Sequence, residues 1–295
     1  MAVAVPNISE GRNPEAIAAI AGAFAPATLL DRHTDGVHNR TVLTLAGGEE
    51  ELVAALAAGA RACVERIDMR RHRGAHPCVG ALDVCPLVYP SDDDRDVAQG
   101  LALETADAIA ALGVPVFLYG ELATEPERRE RAFFRLGGLE ELAARMASGE
   151  LRPDRGPAEP HPSAGATLVT ARRPLAAFNV ELDTGDAEVA RAVAARLRES
   201  GGGLVGVRAV GVDLDGVAQV STNIHDPIAV PLATVIERVR DLAAEAGARP
   251  VAGEVVGLVP EASIGGLPED VPLRGFDPDR HVLERRLSSL RTSRA

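Results

Sequence analysis

The 295-residue sequence contains no lysine, so all 31 of its basic residues are arginines. This absence excludes catalysis through a lysine Schiff base and a phosphate-binding loop of the type that depends on lysine. An anionic ligand must therefore be held by arginine, by histidine or by backbone N–H groups. The net charge is −12 and no arginine-rich arm is present, so we expect neither a nucleic-acid partner nor an anionic membrane partner.

Cysteine is also scarce. The sequence has three, Cys63, Cys78 and Cys85, which is an odd number, and they show no Cys-x-x-Cys spacing. This usage favours a reduced, intracellular protein. The N-terminus lacks a basic leader with an apolar run, and no segment reaches the roughly 18 apolar residues of a membrane span. With 46% hydrophobic and 25% charged residues, the sequence predicts a soluble, cytoplasmic, globular protein.

The strand-like and helix-like segments follow the same order twice. The first half reads β-α-β-β-α-β from "VAVPNIS" to "LDVCPLVYP", and a further helix and the strand "VPVFLYGE" extend it. The second half repeats the order from "AAFNVEL" to "PVAGEVVGLVP". Because this is the split-βαβ order of the ferredoxin-like fold, we predict an α/β (α+β) protein with two such lobes. Two facing sheets would form a ligand tunnel between the lobes, suited to a flat organic molecule.

A segment rich in proline, glycine and charge, "GELRPDRGPAEPHPSAGA" at 149–166, interrupts this pattern. Its composition predicts a long functional loop or a crossing between lobes. We place the N-terminal lobe at 1–170, the C-terminal lobe at 171–262 and a tail at 263–295. Glycine, proline, aspartate and arginine dominate the tail, which predicts that it is ordered only in part.

The segment "RRHRGAHPCVGALDVCP", at 70–86, concentrates histidine, arginine and cysteine ahead of a strand. His72 and His76 have the i, i+4 spacing of a zinc pair on a helix, but a glycine between them and a proline after them disfavour a helix. No third ligand follows at a recognisable spacing, so we expect no metal site. Cys78 and Cys85 lack the spacing of a redox pair.

His76 alone is a candidate for proton transfer, because it lies in a loop before a strand and imidazole titrates near neutrality. From spacing alone, a surface histidine bonded to the backbone is the more frequent alternative. For the cluster "DGVHNRT" at 35–41, an Asp-Gly turn with polar flanks is the favoured explanation from the residues alone. In "VPNISEGR" at 5–12, free N–H groups at a strand-to-helix junction could hold a carboxylate, and a helix cap explains the segment almost as well. "QVSTN" at 219–223 could face a ligand or form an exposed strand surface.

Taken together, these segments resemble the glutamate formiminotransferase family, the folate-dependent transferases of histidine degradation. The matching series runs from residue 5 to about residue 260 and comprises "VPNISEGR", "HNRTVLTL", "HRGAHPCVGALDVCP", "VPVFLYGE", "GPAEPHPSAGATLVTARRPLAAFNVEL", "AQVSTNI" and "GEVVGLVP". In animals this domain is fused to a cyclodeaminase. The matching motifs here cover only the transferase portion, so the resemblance implies a stand-alone transferase. It further implies two α/β lobes with folate between their sheets, and a homodimer.

The reaction that the resemblance implies moves the formimino group of N-formimino-L-glutamate to N5 of tetrahydrofolate, the co-substrate. The family's catalytic histidine falls on His76, and Asp35 or His38 could orient it or carry its proton. Because both substrates carry carboxylates, arginines are candidate clamps. The candidate substrate-binding and folate-binding residues are Asn7, Arg12, Asn39, Arg40, Arg73, Gly156, Pro157, His161, Pro162, Gly165, Arg172, Asn179 and Gln219; the folate-binding segment of the family falls on 156–165.

Two departures from the family pattern leave the donor open. The family commonly reads His-Pro-Arg-Met-Gly-Ala where this sequence has "HPCVGA" at 76–81, and Ala75 replaces a frequent glutamate. Loss of the arginine removes a fixed cation near an anionic substrate. Formyl transfer between 5-formyltetrahydrofolate and glutamate is therefore an alternative. A non-catalytic folate or amino-acid sensor and a metal-dependent hydrolase are the others.

Overall fold

The computed structural model describes residues 1–75, 77–214 and 216–294, with side chains described as far as residue 290. His76, the predicted catalytic residue, lies outside the described residues. The chain divides into two compact units, Met1–Arg172 and Arg173–Ala295. Among the helices that are described, none combines the length and the hydropathy needed to span a bilayer.

The first unit follows the predicted order of elements and adds one strand. In chain order the elements are β1 (Ala2–Ala4), β2 (Asn7–Ile8), α1 (Pro14–Ala23), β3 (Thr28–Asp35), β4 (Arg40–Gly47), α2 (Glu49–Arg66), β5 (Leu82–Val88), α3 (Arg95–Ala110), β6 (Val116–Leu118), α4 (Arg131–Arg135), α5 (Gly138–Ala147) and β7 (Thr167–Arg172). The first predicted strand is interrupted at residues 5–6, and β7 is the strand that the sequence pattern does not include.

The sheet of the first unit has the order of a ferredoxin-like fold. Strands β3, β4, β2 and β5 are antiparallel neighbours in that order, and β1 pairs with both β4 and β5. Two parallel pairings, β5 with β7 and β7 with β6, then extend the sheet. All seven residues of β5 are buried, as expected for a central strand covered on both faces.

Helices cover the two faces of this sheet unequally. Residues of α1, α2 and α3 form one core with Leu43, Cys85 and Val169. Residues of α4 and α5 form a second core with Val84 and Leu168. Because neighbouring residues of a strand point to opposite faces, the two cores lie on opposite sides of β5 and β7.

The start of α1 shows why the local prediction succeeds. The side chain of Asn13 accepts hydrogen bonds from the backbone N–H groups of Glu15 and Ala16, each at 3.1 Å. Pro14 occupies the first helical position, where its missing N–H costs no hydrogen bond. Both residues act within the first turn of α1, so the start of this helix can be predicted from the sequence alone.

The second unit repeats the ferredoxin-like order. Its elements are β8 (Ala176–Leu182), α6 (Ala187–Leu197), β9 (Val207–Leu214), β10 (Val217–Ile224), α7 (Leu232–Ala244), β11 (Pro250–Val256), α8 (Pro278–His281) and α9 (Leu283–Arg294). The strands lie in the antiparallel order β11, β8, β10, β9. Helices α6 and α7 pack on the face that carries Phe178, Val180 and Val220. The predicted fold of two split-βαβ lobes is confirmed.

The segment after β11 packs on the second unit. The N–H of Val259 donates to the carbonyl of His281 at 2.9 Å, and the N–H of Leu283 donates to the carbonyl of Val259 at 3.0 Å. Val271 and Val282 are completely buried. Part of the segment that the sequence assigns to the tail is thus packed against the strands and helices of this unit. The composition is polar on average, but isolated valines are enough to anchor the segment.

Candidate active site

The first sheet carries polar residues on the face opposite α1 to α3. Asp35 pairs with Arg40 across β3 and β4, and Asn7 pairs with Val42 across β2 and β4. Residues paired across antiparallel strands project to the same face, so Asn7, Asp35 and Arg40 share one side. Leu43 projects to the other side, into the core beneath the helices. Three predicted site residues therefore lie on one face.

Asp35 and His38 form a hydrogen-bonded pair at the end of β3. Nδ1 of His38 lies 2.5 Å from Oδ2 of Asp35, while Oδ1 accepts the N–H groups of Val37 and His38 at 2.8 and 2.9 Å. Burial acts to raise the pKa of Asp35, but the backbone and ring hydrogen bonds of His38 lower it below its ordinary value. The carboxylate is thus ionised and holds the His38 proton on Nδ1.

Asn39 connects three segments that carry predicted site residues. Its Oδ1 accepts the N–H of Gly11 at 2.8 Å, and its Nδ2 donates to the carbonyl of Arg73 at 3.1 Å. The same Nδ2 lies 3.3 Å from Nδ1 of His72, which must be the acceptor, so the His72 proton is on Nε2. Burial lowers the pKa of His72 and favours this neutral form.

Arg12 and Arg73 are exposed cations near this junction. Nε of Arg12 donates to the carbonyl of Gly36 at 2.8 Å, and Nη1 of Arg73 donates to the carbonyl of His72 at 2.6 Å. Within the described part of the chain, neither guanidinium forms a salt bridge with a carboxylate. Their positive charges are therefore available to an anionic ligand.

The second half of the predicted folate-binding segment contacts the strand entrance after His76. Gly165 forms isolated bridges with His161 and with Gly80. The N–H of Ala166 donates to the carbonyl of Val79 at 2.9 Å. The predicted folate segment and the loop of the predicted catalytic residue are thus joined through the backbone.

The first half of that segment lies elsewhere in the unit. Gly156 sits against the turn before β6, where a Cβ atom would lie 2.9 Å from the carbonyl oxygen of Val114. Gly156 and Pro157 are exposed, and Pro162 is exposed at the turn between His161 and Gly165. The structure therefore divides the predicted segment into two parts with different neighbours.

Replacing Gly165 by alanine is expected to destabilise the first unit. Gly165 has φ +71°, and an added Cβ atom would lie 2.3 Å from the carbonyl oxygen of Val79. The left-handed conformation alone costs about 1–3 kcal/mol for an ordinary residue. Gly149 is a matched control, because its φ is +78° but no atom lies within 4 Å of the added Cβ. Urea unfolding should show the larger loss for Gly165→Ala; equal losses would contradict the steric argument.

Asp83 is a buried carboxylate in β5, at the point where the register between β2 and β5 shifts. Its Oδ1 accepts the N–H of Val79 at 2.8 Å, and its Oδ2 forms an ion pair with Arg135 of α4. Register shifts of this kind re-aim a side chain and occur next to active sites. Asp83 therefore joins α4 to the segment that follows His76.

Arg40 and Arg172 lie among other guanidinium groups. Burial lowers the pKa of Arg40, and the charges of Arg135 and Arg131 lower it further. Burial also lowers the pKa of Arg172 to about 10, and the charge of Arg131 acts in the same direction. With a pKa of about 10, the guanidinium of Arg172 is protonated near neutrality. Arg40, Arg131, Arg135 and Arg172 all carry guanidinium groups. They form a concentration of positive charge suited to a carboxylate.

Asn179 and Gln219 lie on one face of the second sheet, opposite its helices. Asn179 of β8 pairs with Ser221 of β10, and Glu181 of β8 pairs with Gln219 of β10. The second pair lies two residues along each strand from the first, so all four side chains share one face. Nδ2 of Asn179 donates to Oε2 of Glu254 at 3.0 Å. Gln219 is almost completely buried. The structure thus brings these two predicted residues together within the second unit.

Comparison with known proteins identifies the family. The model for the N-terminal subdomain of the formiminotransferase domain matches residues 1–172, and the model for the formiminotransferase domain matches residues 177–265. The chain belongs to the formiminotransferase family. The resemblance predicted from the ordered motifs is therefore confirmed.

Relatives of this formiminotransferase family member differ in length. A glutamate formimidoyltransferase from Streptococcus pyogenes serotype M1 is 36% identical over 290 residues, covering 96% of this chain and 97% of the relative. One from Thermoplasma acidophilum is 36% identical over 292 residues, covering 96% of each chain. A formimidoyltransferase-cyclodeaminase from Sus scrofa is 41% identical over 271 residues, which span 87% of this chain and 49% of that protein.

Sequence reasoning misses Asp83, Arg131 and Arg135 in this formiminotransferase, and it considers the half-buried His72 only as a zinc ligand. The sequence does contain one signal for Asp83, because it is the only carboxylate inside the apolar run "LDVCPLVYP". A carboxylate buried in a strand requires a charged or hydrogen-bonding partner. Arg131 and Arg135 lie in a charge-rich helical segment that is typical of a solvated surface. Their role depends on contacts distant in sequence.

Cysteines and potential metal ligands add no candidate site within the part of the chain that the structure describes. Among the side chains that the structure describes, no three His, Cys, Asp or Glu residues lie close enough to share a metal ion. Cys63, Cys78 and Cys85 are free. Burial raises the pKa of Cys78 to about 11, so its thiol is neutral near pH 7. A neutral group therefore stands where the family resemblance leads us to expect arginine.

Proposed function

We propose that this formiminotransferase moves the formimino group of N-formimino-L-glutamate to N5 of tetrahydrofolate, giving 5-formiminotetrahydrofolate and glutamate. Two relatives that match its full length bear the name glutamate formimidoyltransferase. The structural observation that carries the proposal is the junction of Gly165 and Ala166 with Val79 and Gly80. It connects the segment expected to bind folate with the loop expected to supply the catalytic histidine.

The reaction requires one proton to move from N5 of tetrahydrofolate to the departing glutamate nitrogen. N5 attacks the amidine-type carbon, and the new bond between N5 and carbon gives a tetrahedral intermediate. The bond between that carbon and the glutamate nitrogen then breaks. We assign the proton transfer to His76, which takes the proton from N5 and returns it to the departing nitrogen. The ionised Asp35 and its partner His38 are proposed to orient His76 or to carry its proton onward.

Two substrates must also be held together, which is the larger part of the catalytic task. We propose that Arg12, Arg40, Arg73 and Arg172 bind carboxylates, since both substrates carry them. The remaining polar residues proposed for substrate and folate are Asn7, Asn39, Asn179 and Gln219, and the loop residues proposed for folate are Gly156, Pro157, His161, Pro162 and Gly165.

An isotope experiment tests the reaction directly. The protein is incubated with tetrahydrofolate and N-formimino-L-glutamate that carries ¹⁵N in the imino group. Formimino transfer predicts a folate product that contains ¹⁵N and a matching release of unlabelled glutamate, both measured by mass spectrometry. Without a labelled folate product, formimino transfer is not the reaction of this protein.

Formyl transfer is the second candidate, favoured by the neutral Cys78 thiol next to the proposed catalytic loop. The same assay with N-formyl-L-glutamate and tetrahydrofolate, or with 5-formyltetrahydrofolate and glutamate, distinguishes it. Turnover only with formyl substrates would reassign the donor. Folate binding without turnover would favour the sensor, and stoichiometric zinc with chelator-sensitive activity would favour the hydrolase.

We further propose that the protein acts in the cytoplasm as a homodimer on small-molecule substrates, with tetrahydrofolate as co-substrate and without a metal. Light scattering on the purified protein would give twice the mass of one chain, and activity would survive prolonged treatment with EDTA. A monomer in solution, or loss of activity that zinc restores, would contradict the respective part of the proposal.

A further inference from the structure

Two other segments approach the turn at 35–40 backbone against backbone. A Cβ atom added to Gly11 would lie 2.1 Å from the carbonyl oxygen of Asp35. A Cβ atom added to Gly74 would lie 2.4 Å from the carbonyl oxygen of His38. Neither position has room for a side chain, and glycine is the residue that permits such a close approach. The segments around Gly11 and Gly74 therefore both pack directly against this turn.

Asn39, inside this turn, has an unusual backbone conformation. Its φ is +51°, and among the described residues it is the one non-glycine residue with a positive φ. Asparagine tolerates this left-handed conformation better than most residues, but glycine adopts it without strain. Strain of this kind persists where the surrounding contacts fix it, and it is concentrated at functional sites. The conformation therefore indicates that the Asn39 side chain is needed at this position.

The contacts of the Asn39 side chain show what it is needed for. Its Nδ2 donates to the carbonyl of Arg73 at 3.1 Å and lies 3.3 Å from the acceptor Nδ1 of His72. Its Oδ1 accepts the N–H of Gly11 at 2.8 Å. The side chain is almost completely buried. Both donor hydrogens of the amide are therefore used to bind the chain at 72–73, and one lone pair of Oδ1 remains for another group.

The same turn holds the chain that leads into His76. The N–H of Ala75 donates to the carbonyl of Val37 at 3.3 Å. Because consecutive Cα atoms are about 3.8 Å apart, the place of Ala75 limits where the proposed catalytic histidine can lie. Asp35 and His38, which are proposed to orient that histidine, belong to this turn as well. The turn thus joins the groups whose alignment the proton transfer requires.

We propose that Asn39 is a positioning residue for the transfer reaction, and that His72 supports it as the acceptor of one amide hydrogen. Together they hold the chain that enters His76 against the turn of Asp35 and His38. The inference rests on the proposed function for the role of His76. It is compatible with the substrate contact proposed for Asn39, since one lone pair of Oδ1 is not used by these bonds. A misplacement of about 1 Å can lower a reaction rate about a hundredfold.

Asn39→Gly removes the amide but permits the left-handed backbone, so it separates the side-chain contacts from strain. We expect kcat to fall about ten- to a hundredfold, with a smaller change in KM. Asn13→Gly is the matched control, because it also removes an asparagine side chain that accepts backbone N–H groups, at the start of α1. It should retain the parent kcat. A higher KM with an unchanged kcat in Asn39→Gly would show a substrate contact alone and overturn the proposal.

A double substitution tests whether Asn39 acts through His76. Once the imidazole is absent, its placement no longer affects the rate. Asn39→Gly should therefore lower the single-turnover rate of the parent, but it should change the rate of His76→Ala less than about twofold. Losses of the same size in both backgrounds would show that Asn39 acts independently of His76, and the proposal would fall.

His72 provides a second test that leaves Asn39 in place. The side-chain oxygen introduced by His72→Asn can replace Nδ1 as the acceptor for the Asn39 amide, whereas His72→Leu leaves no acceptor. We expect His72→Asn to retain a kcat about tenfold higher than that of His72→Leu. Equal kcat values in the two variants would remove His72 from the proposal.

Hydrogen exchange measured by mass spectrometry tests the contact without turnover. In Asn39→Gly, the backbone N–H groups of Gly11 and Ala75 should exchange faster than in the parent, and Asn13→Gly should leave both rates unchanged. If the parent transfers neither formimino nor formyl groups but exchange increases as expected, the holding role of Asn39 stands and the proposed reaction falls. If transfer occurs and exchange at both sites stays at the parent rate, the proposed reaction stands and the positioning role falls.

Discussion

His76→Ala is expected to reduce kcat by about a hundred- to ten-thousand-fold, the usual contribution of one positioned proton-transfer group. The binding of tetrahydrofolate should change little, because the residues proposed to hold folate lie on other segments. Hydrogen bonds hold the chain on both sides of His76: the N–H of Ala75 donates to the carbonyl of Val37 at 3.3 Å, and the N–H of Val79 donates to Oδ1 of Asp83 at 2.8 Å. Side-chain removal therefore leaves the loop anchored on both sides.

Rapid-mixing measurements of single turnovers would isolate this chemical step from product release. Added imidazole should restore part of the rate in His76→Ala, because a diffusible base can replace the missing ring. A matched control is His281→Gln in α8, far along the chain, which should retain full kcat. If His76→Ala keeps the parent rate, the proton moves through another group. His72 would be the first to test, because its Nε2 carries a proton.

The sequence predicts those parts of the fold that depend on neighbouring residues. The alternation of helices and strands, the cap at Asn13 and the ferredoxin-like order all follow from patterns within about ten residues. The strand β7 is different, because "TLVTAR" becomes a strand through parallel pairing with β5 and β6. Such pairing joins residues 84 positions apart for β5 and 51 positions apart for β6, and it leaves no local periodic signal.

In the candidate site, too, contacts between near neighbours in sequence can be predicted and contacts between distant segments cannot. Asp35 and His38 are three residues apart, and their hydrogen bond is accessible to sequence reasoning. The contacts of Asn39 with Gly11 and His72 bring together segments separated by 28 and 33 residues, which only the fold can do. Asn39 is among the predicted binding residues, but its place as a junction follows from the tertiary structure.

Asp83→Ala should be the most destabilising single substitution in the first sheet. It leaves Arg135 as a buried cation without its partner and the N–H of Val79 without its acceptor. Breaking a buried ion pair in this way costs about 3–5 kcal/mol. Asp107→Asn is the control, because it breaks an exposed pair with Arg155 and should cost about 1 kcal/mol or less. Urea unfolding of both variants measures the difference.

Equal losses for Asp83→Ala and Asp107→Asn would mean that water solvates Arg135 and that the ion pair does not hold α4. The double variant Asp83→Asn with Arg135→Met provides a second test. It removes both charges and keeps an oxygen that can accept the Val79 N–H, so much of the lost stability should return. Failure to recover would show that the cost arises from packing around Asp83 instead of from an unpaired charge.

Substitutions of Asp83 should affect KM and kcat differently, because one carboxylate oxygen binds Arg135 and the other binds the N–H of Val79. Asp83→Asn retains an acceptor for Val79 but weakens the attachment of α4, since the ion pair with Arg135 is lost. It should therefore raise KM more than it lowers kcat, because the charges of Asp83 and Arg135 both act on Arg40, which is proposed to bind substrate. Asp83→Ala also frees the segment after His76 and should lower kcat as well. A fall in kcat of the same size in both variants would place the whole effect in α4 and none in the Val79 hydrogen bond.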